Sequence, residues 1–254
     1  MTAAKRGRFV WHDLMTPDPA AAKTFYSAVT GWSTQPFGDA YLMWVANGTP
    51  LGGVMALPDP SAPIGWVAYI TVPDVDAAAA VAQSLGGRIV KPPASIPTVG
   101  RFAILADPQG AMFCLFSWET DRPTEDTAAK PGEFSWHELA TTDWRGAWTF
   151  YEQLFGWEKR NEHDMGPMGV YMLFGVGGVE SGGMFDKPAA MPGAPAWLPY
   201  VRVESADAAA ERVKANGGTV VNGPMDVPGG DRIAQCVDPQ GAAFAVHSKK
   251  AGAD

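Results

Sequence analysis

Trp11-His12-Asp13-Leu14, near the start of the chain, returns as Trp136-His137-Glu138-Leu139 in its second half. The residues after each copy also match in order: Asp18, Phe25-Tyr26 and Gly31-Trp32 in the first, and Asp143, Phe150-Tyr151 and Gly156-Trp157 in the second. Farther along, Gly86-Gly87 and Asp107-Pro108-Gln109-Gly110-Ala111 reappear as Gly217-Gly218 and Asp238-Pro239-Gln240-Gly241-Ala242. A repeat of this length predicts two tandem copies of one domain.

The composition indicates a globular, acidic protein. Of its 254 residues, 46% are hydrophobic and 18% are charged, and the formal net charge is -8. This charge repels phosphate backbones, so we expect no nucleic-acid partner. No apolar run approaches the roughly 18 residues of a membrane span, and the basic start does not lead into a signal-peptide apolar core. Cys114 and Cys236 are not equivalent in the two copies and predict no disulfide. We therefore expect a cytoplasmic protein that does not bind membranes.

Each copy contains two successive runs of a strand, a helix and further strands. In the first run, the strand Phe9–Leu14 precedes a helix over Ala20–Val29. The segment Thr16-Pro17-Asp18-Pro19 supplies the cap of this helix, and Gly31 ends it. The other strands predicted in this run flank the turn Asn47-Gly48: Tyr41–Ala46 and Gly53–Leu57. The second run comprises a strand at Trp66–Val72, a helix at Val75–Leu85, and strands at Arg88–Val90, Arg101–Ala106 and Ala111–Trp118. The pattern predicts an α+β fold in which each domain contains two βαβββ units.

The repeats place the domain boundaries. Residues 1–118 form the predicted N-terminal domain and residues 133–254 the predicted C-terminal domain. The polar, proline-bearing segment 119–132 has the composition of a linker. Because one chain supplies both copies, we expect that it can function as a monomer.

These motifs resemble those of the vicinal oxygen chelate superfamily, which includes glyoxalase I, extradiol dioxygenases and bleomycin-resistance proteins. The resemblance is carried by Asp18…Phe25-Tyr26…Gly31-Trp32, Val72-Pro73-Asp74-Val75-Asp76-Ala77, Gly86-Gly87, Asp107-Pro108-Gln109-Gly110 and their second copies. The Trp-His-Asp/Glu-Leu opening is similar to that of two-domain, glyoxalase-like proteins of actinobacteria. The resemblance implies that paired βαβββ units form a half-open barrel, with the ligands of a divalent metal inside it.

At the positions where the resemblance implies metal ligands, the chain departs from the family. The first-strand positions fall at Trp11 and Trp136, and those of the second unit fall near Val67 and Leu198. The last-strand positions fall at Cys114 and Ala245, and the remaining stretches, 52–57 and 181–185, contain no His, Asp or Glu. A divalent ion requires three or more converging N, O or S ligands. We therefore predict no metal and no other cofactor; a metal bound at unusual positions is the alternative.

The same alignment identifies candidate ligand-binding residues. Trp11 and Trp136 either form stacking walls for a ligand or fill the cavity. Side chains alternate along a strand, so Asp13 and Glu138 share the face of these tryptophans, whereas His12 and His137 point away and have a predicted structural role. The complete predicted set is Trp11, Asp13, Cys114, Trp136, Glu138 and His247.

Glu138 and His247 are the predicted catalytic residues. His247 lies on the same strand face as Ala245, so it either meets Glu138 as an acid–base pair or lies exposed near the chain end. Phe116 is the N-terminal counterpart of His247, so the two domains are predicted to differ chemically.

Three hypotheses for function remain open. In the first, the chain is a metal-independent protein that binds a small apolar or aromatic molecule. In the second, it is a lyase, isomerase or hydrolase that uses Glu138 and His247. In the third, tryptophans close the cavities and the chain is an interaction scaffold. The sequence alone does not decide whether the protein is an enzyme.

Overall fold

The structure is a computed structural model and describes residues 6–38, 41–120 and 128–250. The N-terminal repeat forms the elements β1 (Phe9–Thr16), α1 (Pro19–Thr30), β2 (Ser33–Phe37), β3 (Tyr41–Ala46), β4 (Thr49–Ala56), β5 (Gly65–Thr71), α2 (Val75–Ser84), β6 (Arg88–Ile96), β7 (Gly100–Ala106) and β8 (Met112–Trp118). The C-terminal repeat forms β9 (Phe134–Thr141), α3 (Trp144–Phe155), β10 (Glu158–Asp164), a short 3-10 helix (Gly166–Met168), β11 (Val170–Val176), β12 (Val179–Asp186), β13 (Ala196–Arg202), α4 (Ala206–Ala215), β14 (Thr219–Asp226), β15 (Arg232–Val237) and β16 (Ala243–Ser248).

Each repeat forms one open, eight-stranded mixed sheet. The strand orders are β2-β3-β4-β1-β5-β8-β7-β6 and β10-β11-β12-β9-β13-β16-β15-β14. The first strand of every βαβββ unit pairs in parallel with the last strand of the same unit, as β1 does with β4 and β5 with β8. The other pairs within each unit are antiparallel hairpins. The predicted α+β fold of four βαβββ units is confirmed.

Local sequence signals place most elements. The Asp18 carboxylate accepts hydrogen bonds from the Ala20 and Ala21 amides, and Gly31 ends α1 at φ 79°. In the predicted Asn47-Gly48 turn, both residues have positive φ, 51° and 78°. The sequence did not predict β2, because its Ser-Thr-Gln-Pro-Phe sequence is largely exposed and contains proline, which disfavours sheet interiors.

The described residues also pack into two compact units, which are distinct from the βαβββ units and are called unit 1 and unit 2. Each of them contains parts of both repeats. Unit 1 comprises residues 6–10, 68–120 and 137–197, and unit 2 comprises residues 11–38, 41–67, 128–136 and 198–250. The predicted linker, 119–132, lies partly outside the described residues, which omit 121–127. The domain boundaries stay a prediction.

A chain of buried hydrogen bonds lies in the core of unit 1. Trp197 Nε1 donates to Tyr151 Oη at 3.0 Å, and Tyr151 Oη donates to Asp107 Oδ2 at 3.0 Å. Asp107 Oδ1 accepts from the amides of Gln109 and Ala111 at 3.0 and 2.8 Å. Burial raises the pKa of Tyr151 well above its usual 10, so the phenol remains a donor.

Unit 2 contains the equivalent chain. Trp66 Nε1 donates to Tyr26 Oη, which donates to Asp238 Oδ2, both at 3.1 Å. Asp238 Oδ1 accepts from the amides of Gln240 and Ala242, both at 2.9 Å. In both units the tyrosine comes from one repeat and the aspartate from the other. The repeated Phe-Tyr and Asp-Pro-Gln-Gly motifs therefore have a structural role.

The repeated histidines also have the predicted structural role. In unit 1, the His137 ring stacks on Phe9 with ring centroids 3.5 Å apart, and its Nδ1 bonds the Ser181 carbonyl oxygen at 3.1 Å. Burial lowers the pKa of His137 to about 3, so this ring is neutral near pH 7. In unit 2, His12 stacks on Phe134 at 3.7 Å.

Within the described residues, the helices are all too short or too polar to cross a bilayer.

Candidate functional site

Trp11, Asp13 and Tyr41 form a hydrogen-bonded cluster in unit 2, which we call the N-terminal cluster. Trp11 Nε1 lies 2.9 Å from Asp13 Oδ1 and 2.8 Å from Tyr41 Oη, and Tyr41 Oη donates to Asp13 Oδ1 at 2.5 Å. The carboxylate is buried, with 4% of Asp13 exposed, whereas the two aromatic residues are partly exposed. Their polar tips are thus fixed on one carboxylate, while part of each ring remains accessible.

Gly53 on β4 leaves the space for this cluster. β4 pairs with both β1 and β3, and Gly53 is the partner of Asp13 on one side and Met43 on the other. A Cβ atom at Gly53 would lie 1.9 Å from Tyr41 Oη and 2.7 Å from Asp13 Oδ1. Glycine is therefore required for Tyr41 to reach the carboxylate across β4.

The C-terminal repeat builds a matching pair in unit 1. Tyr171 on β11 donates from Oη to Glu138 Oε2 on β9 at 2.9 Å, and Glu138 is 8% exposed. Gly183 on β12 stands at the equivalent position to Gly53, and a Cβ there would lie 2.2 Å from the Tyr171 ring. We call Glu138 and Tyr171 the C-terminal pair. The carboxylate–tyrosine contact is thus a feature of both repeats.

In unit 2, Trp136 lies against a small apolar cluster. The cluster consists of buried Tyr200, Ile233 and Ala245 with partly buried Trp136, Leu198 and Val227. Tyr200 Oη accepts a hydrogen bond from Gln235 Nε2 at 2.9 Å, so this patch includes one polar contact. Trp136 therefore packs on apolar side chains, and its predicted stacking on a ligand stays a prediction.

His247 lies between a carboxylate and a hydroxyl. Its Nε2 is 2.9 Å from Asp231 Oδ2, and its Nδ1 is 2.9 Å from Ser135 Oγ. Lys249 Nζ also donates to Asp231 Oδ2, at 3.0 Å. The contacting carboxylate is therefore Asp231, in the place predicted for Glu138. The physical reason is that the turn before β15 brings Asp231 to the end of β16.

Burial and charge set the protonation of this group. Burial lowers the pKa of His247 below its usual 6.5, against the opposing effect of the Asp231 carboxylate. Partial burial alone would raise the pKa of Asp231, but hydrogen bonds from His247 and Lys249 lower it to about 2. Near pH 7, an ionised Asp231 therefore faces a neutral imidazole.

Cys114 lies on β8 in unit 1 and is fully buried. Its Sγ contacts the Leu115 carbonyl oxygen at 3.3 Å. Solvent does not reach this thiol. Its predicted contact with a ligand stays a prediction.

The residues present do not fit the divalent metal of the family. Trp11 and Trp136 have no metal-binding atom to replace the family's ligands, and Val67 and Ala245 are buried and apolar. In the described part of the chain, no group of three or more His, Cys, Asp or Glu side chains could hold a metal ion.

Unit 2 contains a cavity of about 350 Å³, and none of the predicted site residues lines it. Val29, Gly31, Gly132 and Val203 are among its lining residues, beside the Arg212 side chain. The Arg212 guanidinium donates two hydrogen bonds to the Val29 carbonyl oxygen, at 2.9 and 3.1 Å. It therefore binds the C-terminal end of α1. The lining of this cavity contains no residue of the N-terminal cluster or the C-terminal pair.

Four residues of these groups were not predicted from the sequence. Tyr41 and Tyr171 occupy matching positions at the start of β3 and β11. Their repetition in the sequence could have identified them as candidate site residues. Ser135 and Asp231 have no counterparts in the N-terminal repeat, where Val10 and Gly100 stand at the matching positions. Their contact with His247 depends on tertiary structure.

Comparisons with known proteins match both halves of the chain. Residues 133–246 match the model of the Glyoxalase/Bleomycin resistance protein/Dioxygenase superfamily, and residues 10–116 match that of the Glyoxalase-like domain. The Mycobacterium bovis protein CFP32, named as a glyoxylase, is 42% identical over 113 residues. That match covers 43% of either chain, so it spans less than half the length of the relative. The anthracycline biosynthesis protein DnrV of Streptomyces peucetius is 29% identical over 99% of this chain and 97% of its own.

Solved structures share the fold at low sequence identity. The Mn(II)-bound glyoxalase from Novosphingobium aromaticivorans superposes with a TM-score of 0.69 at 17% identity, covering 96% of this chain and 82% of its own. A homoprotocatechuate 2,3-dioxygenase variant from B.fuscum gives 0.71 at 16% identity, covering 98% and 73%. These likenesses show the shared fold, whereas the family matches in both repeats show that the chain belongs to the glyoxalase/bleomycin resistance protein/dioxygenase superfamily as two tandem glyoxalase-type domains.

Proposed function

We propose that the chain binds a small planar molecule, apolar or aromatic, through its aromatic side chains, and that binding needs no divalent metal. The N-terminal cluster is the observation that carries this proposal. There, two partly exposed aromatic residues are held by hydrogen bonds to a buried carboxylate, at a position where the family resemblance implies a metal ligand.

The cluster has the properties of a binding wall for a flat molecule. Indole and phenol rings contribute large apolar surfaces at little cost in conformational entropy when their polar tips are already bonded. Two hydrogen bonds to Asp13 and one between Trp11 and Tyr41 fix the tips of both aromatic side chains before any ligand arrives. Preorganisation of this kind favours a rigid, planar ligand.

The relatives support an aromatic ligand class. DnrV and the Streptomyces sp. protein DauV, which is 29% identical over 97% of this chain, are named for the biosynthesis of anthracyclines, a class of polycyclic aromatic compounds. Both matches extend over nearly the full length of this chain. A flat aromatic compound is therefore the first ligand class to test.

Isothermal titration calorimetry with a panel of planar aromatic compounds tests the proposal. Because the chain contains ten tryptophans, fluorescence quenching alone would not locate the ligand. We expect saturable binding that Trp11→Ala or Trp136→Ala weakens by about tenfold, since an aromatic contact contributes about 0.5–1.5 kcal/mol beyond its buried area. Binding should be equal with and without a chelator.

Tyr41→Phe is the matched control for the N-terminal cluster. It keeps the ring but removes the hydroxyl that contacts Trp11 and Asp13. If Tyr41→Phe loses less affinity than Trp11→Ala, the affinity comes from ring stacking rather than from the hydrogen bonds of the polar tips. A panel without saturable binding, or equal affinity in both tryptophan variants and the unmodified chain, would contradict the proposal.

Acid–base catalysis is the second candidate function. It rests on the buried Glu138 carboxyl group, which accepts a hydrogen bond from Tyr171, and on the neutral imidazole of His247. In a lyase, isomerase or hydrolase, each group would act as acid or base within its own unit, Glu138 in unit 1 and His247 in unit 2. Turnover that Glu138→Gln reduces by 100-fold or more, with Asp13→Asn as the matched control, would favour catalysis. Metal-dependent turnover would instead favour ligands at unusual positions.

A further inference from the structure

The contacts of His247 form a continuous chain from a carboxylate through an imidazole to a hydroxyl. Asp231 Oδ2, His247 and Ser135 Oγ are linked by two contacts of 2.9 Å, all within unit 2. His247 is 14% exposed and Asp231 is 21% exposed, and Ser135 is also partly exposed, so solvent reaches the group. This order of groups is the one that activates a serine nucleophile.

The carboxylate determines which ring nitrogen carries the proton. An ionised Asp231 can only accept, so the neutral imidazole must hold its proton on Nε2 and leave a lone pair on Nδ1. Ser135 Oγ is then the donor to Nδ1 at 2.9 Å, a shorter contact than the 3.4 Å to the Tyr200 carbonyl oxygen. His247 is thereby positioned to remove the Ser135 proton.

We propose that Ser135 is a nucleophile for acyl transfer, with His247 as its general base and Asp231 as the residue that orients His247. This inference goes beyond ligand binding and does not depend on it. As Ser135 Oγ forms a bond to the carbonyl carbon of an ester, its proton passes to His247 Nδ1. The bond to the leaving alcohol breaks, and the alcohol takes that proton. Water then attacks the acyl carbon, the bond from that carbon to Ser135 Oγ breaks, and Oγ regains a proton as the carboxylic acid leaves.

The neighbouring side chains select for apolar esters. Ser135 contacts the backbone of Tyr200, and Tyr200 belongs to the apolar cluster that also contains Trp136, Leu198 and Ile233. An aryl or short alkyl group can pack on this surface without burying an unpaired charge. Esters of small apolar acids are therefore the substrate class.

The N-terminal repeat lacks all three groups. Val10, Gly100 and Phe116 stand at the positions that correspond to Ser135, Asp231 and His247. The N-terminal repeat therefore provides a control within the same chain. Asp231 also bonds Lys249 Nζ and the Lys250 amide, so a purely structural role would tie the turn before β15 to the end of β16. The experiment has to separate these two roles.

Labelling of the full chain with diisopropyl fluorophosphate tests the proposal. The Ser135 oxygen would displace fluoride from phosphorus, which leaves a stable adduct that peptide mass spectrometry can locate. We expect one adduct per chain, on Ser135, and none in Ser135→Ala. His247→Ala should slow labelling by about 100-fold, in keeping with the loss of a general base. Hydrolysis of p-nitrophenyl acetate should fall in parallel.

Three further measurements distinguish a nucleophile from a structural hydroxyl. Labelling should accelerate as pH rises through the pKa of His247, which faces the charges of Asp231, Lys249 and Arg202. The double variant Val10→Ser with Ser135→Ala should remain unlabelled, since its new hydroxyl has no imidazole partner. If His247→Ala does not fold, as judged by its thermal midpoint, His247→Gln replaces it. Labelling elsewhere, no labelling, or equal rates without His247 would overturn the proposal.

Discussion

The two repeats contribute equivalent groups to their buried cores but different groups to the ends of their strands. A Trp–Tyr–Asp chain is present in each unit, with the tyrosine from one repeat and the aspartate from the other. The contacts around His247 exist only in the C-terminal repeat, because Phe116 holds the corresponding position. After a duplication, both copies need the side chains that stabilise the fold, whereas the side chains of a binding or catalytic site can be present in one copy alone.

The largest expected effect tests the shared core. Asp107→Ala and Asp238→Ala would each leave two amides and a buried tyrosine hydroxyl without their acceptor. We expect each to lower the free energy of unfolding by about 3 kcal/mol, since such groups keep their full desolvation penalty. Thermal and urea unfolding measure the loss, with exposed Asp59→Ala as the control. A large loss at only one of the two aspartates would break the equivalence of the two units.

A smaller effect is expected from Gly53→Ala and Gly183→Ala. The new Cβ would overlap Tyr41 and Asp13 in the first variant, but only Tyr171 among the nearest atoms in the second. We expect both to lose about 1–3 kcal/mol of stability, the usual range for overpacking, with the larger loss for Gly53→Ala. Equal stability to the unmodified chain would mean that the tyrosines are not fixed across the glycines.

The buried histidine of unit 1 makes stability depend on pH. Because the folded pKa of His137 is about 3, the unfolded chain binds more protons between about pH 3 and 6.5, so stability falls as the pH falls through this window. The slope from this group is at most about 1.4 kcal/mol per pH unit. We expect His137→Phe to reduce the pH dependence of the thermal midpoint. Part of that dependence should remain, because the pKa of His247 is also lowered by burial. An unchanged slope would contradict the burial of a neutral ring.

The smallest effect is expected from removal of metal. Among the described residues of both repeats, no group of side chains forms the donor set of the family, so a chelator should leave the thermal midpoint of the chain unchanged. Differential scanning fluorimetry with and without a chelator, together with elemental analysis, checks this. Near-equimolar metal, with destabilisation by the chelator, would show that a repeat binds an ion through other residues.

The amino-acid sequence by itself determined the tandem organisation and the four βαβββ units. Asp18, Gly31 and the Asn47-Gly48 turn act through their nearest neighbours in the chain, so their effects can be predicted from local sequence. The alternation of side chains along β1 and β9 likewise predicted that His12 and His137 pack in the core. Asp13 and Glu138 fell on the opposite strand face for the same reason.

Only the tertiary structure decided which groups meet. Tyr26 bonds Asp238 and Tyr151 bonds Asp107, and each pair joins residues from different repeats. Asp231 reaches His247 because the turn before β15 brings it to the end of β16, whereas strand alternation favoured Glu138. Alternation specifies the face on which a side chain lies, but sheet order, register and turns determine its partner. The repeats therefore encode the fold locally, and the candidate sites arise from long-range pairing.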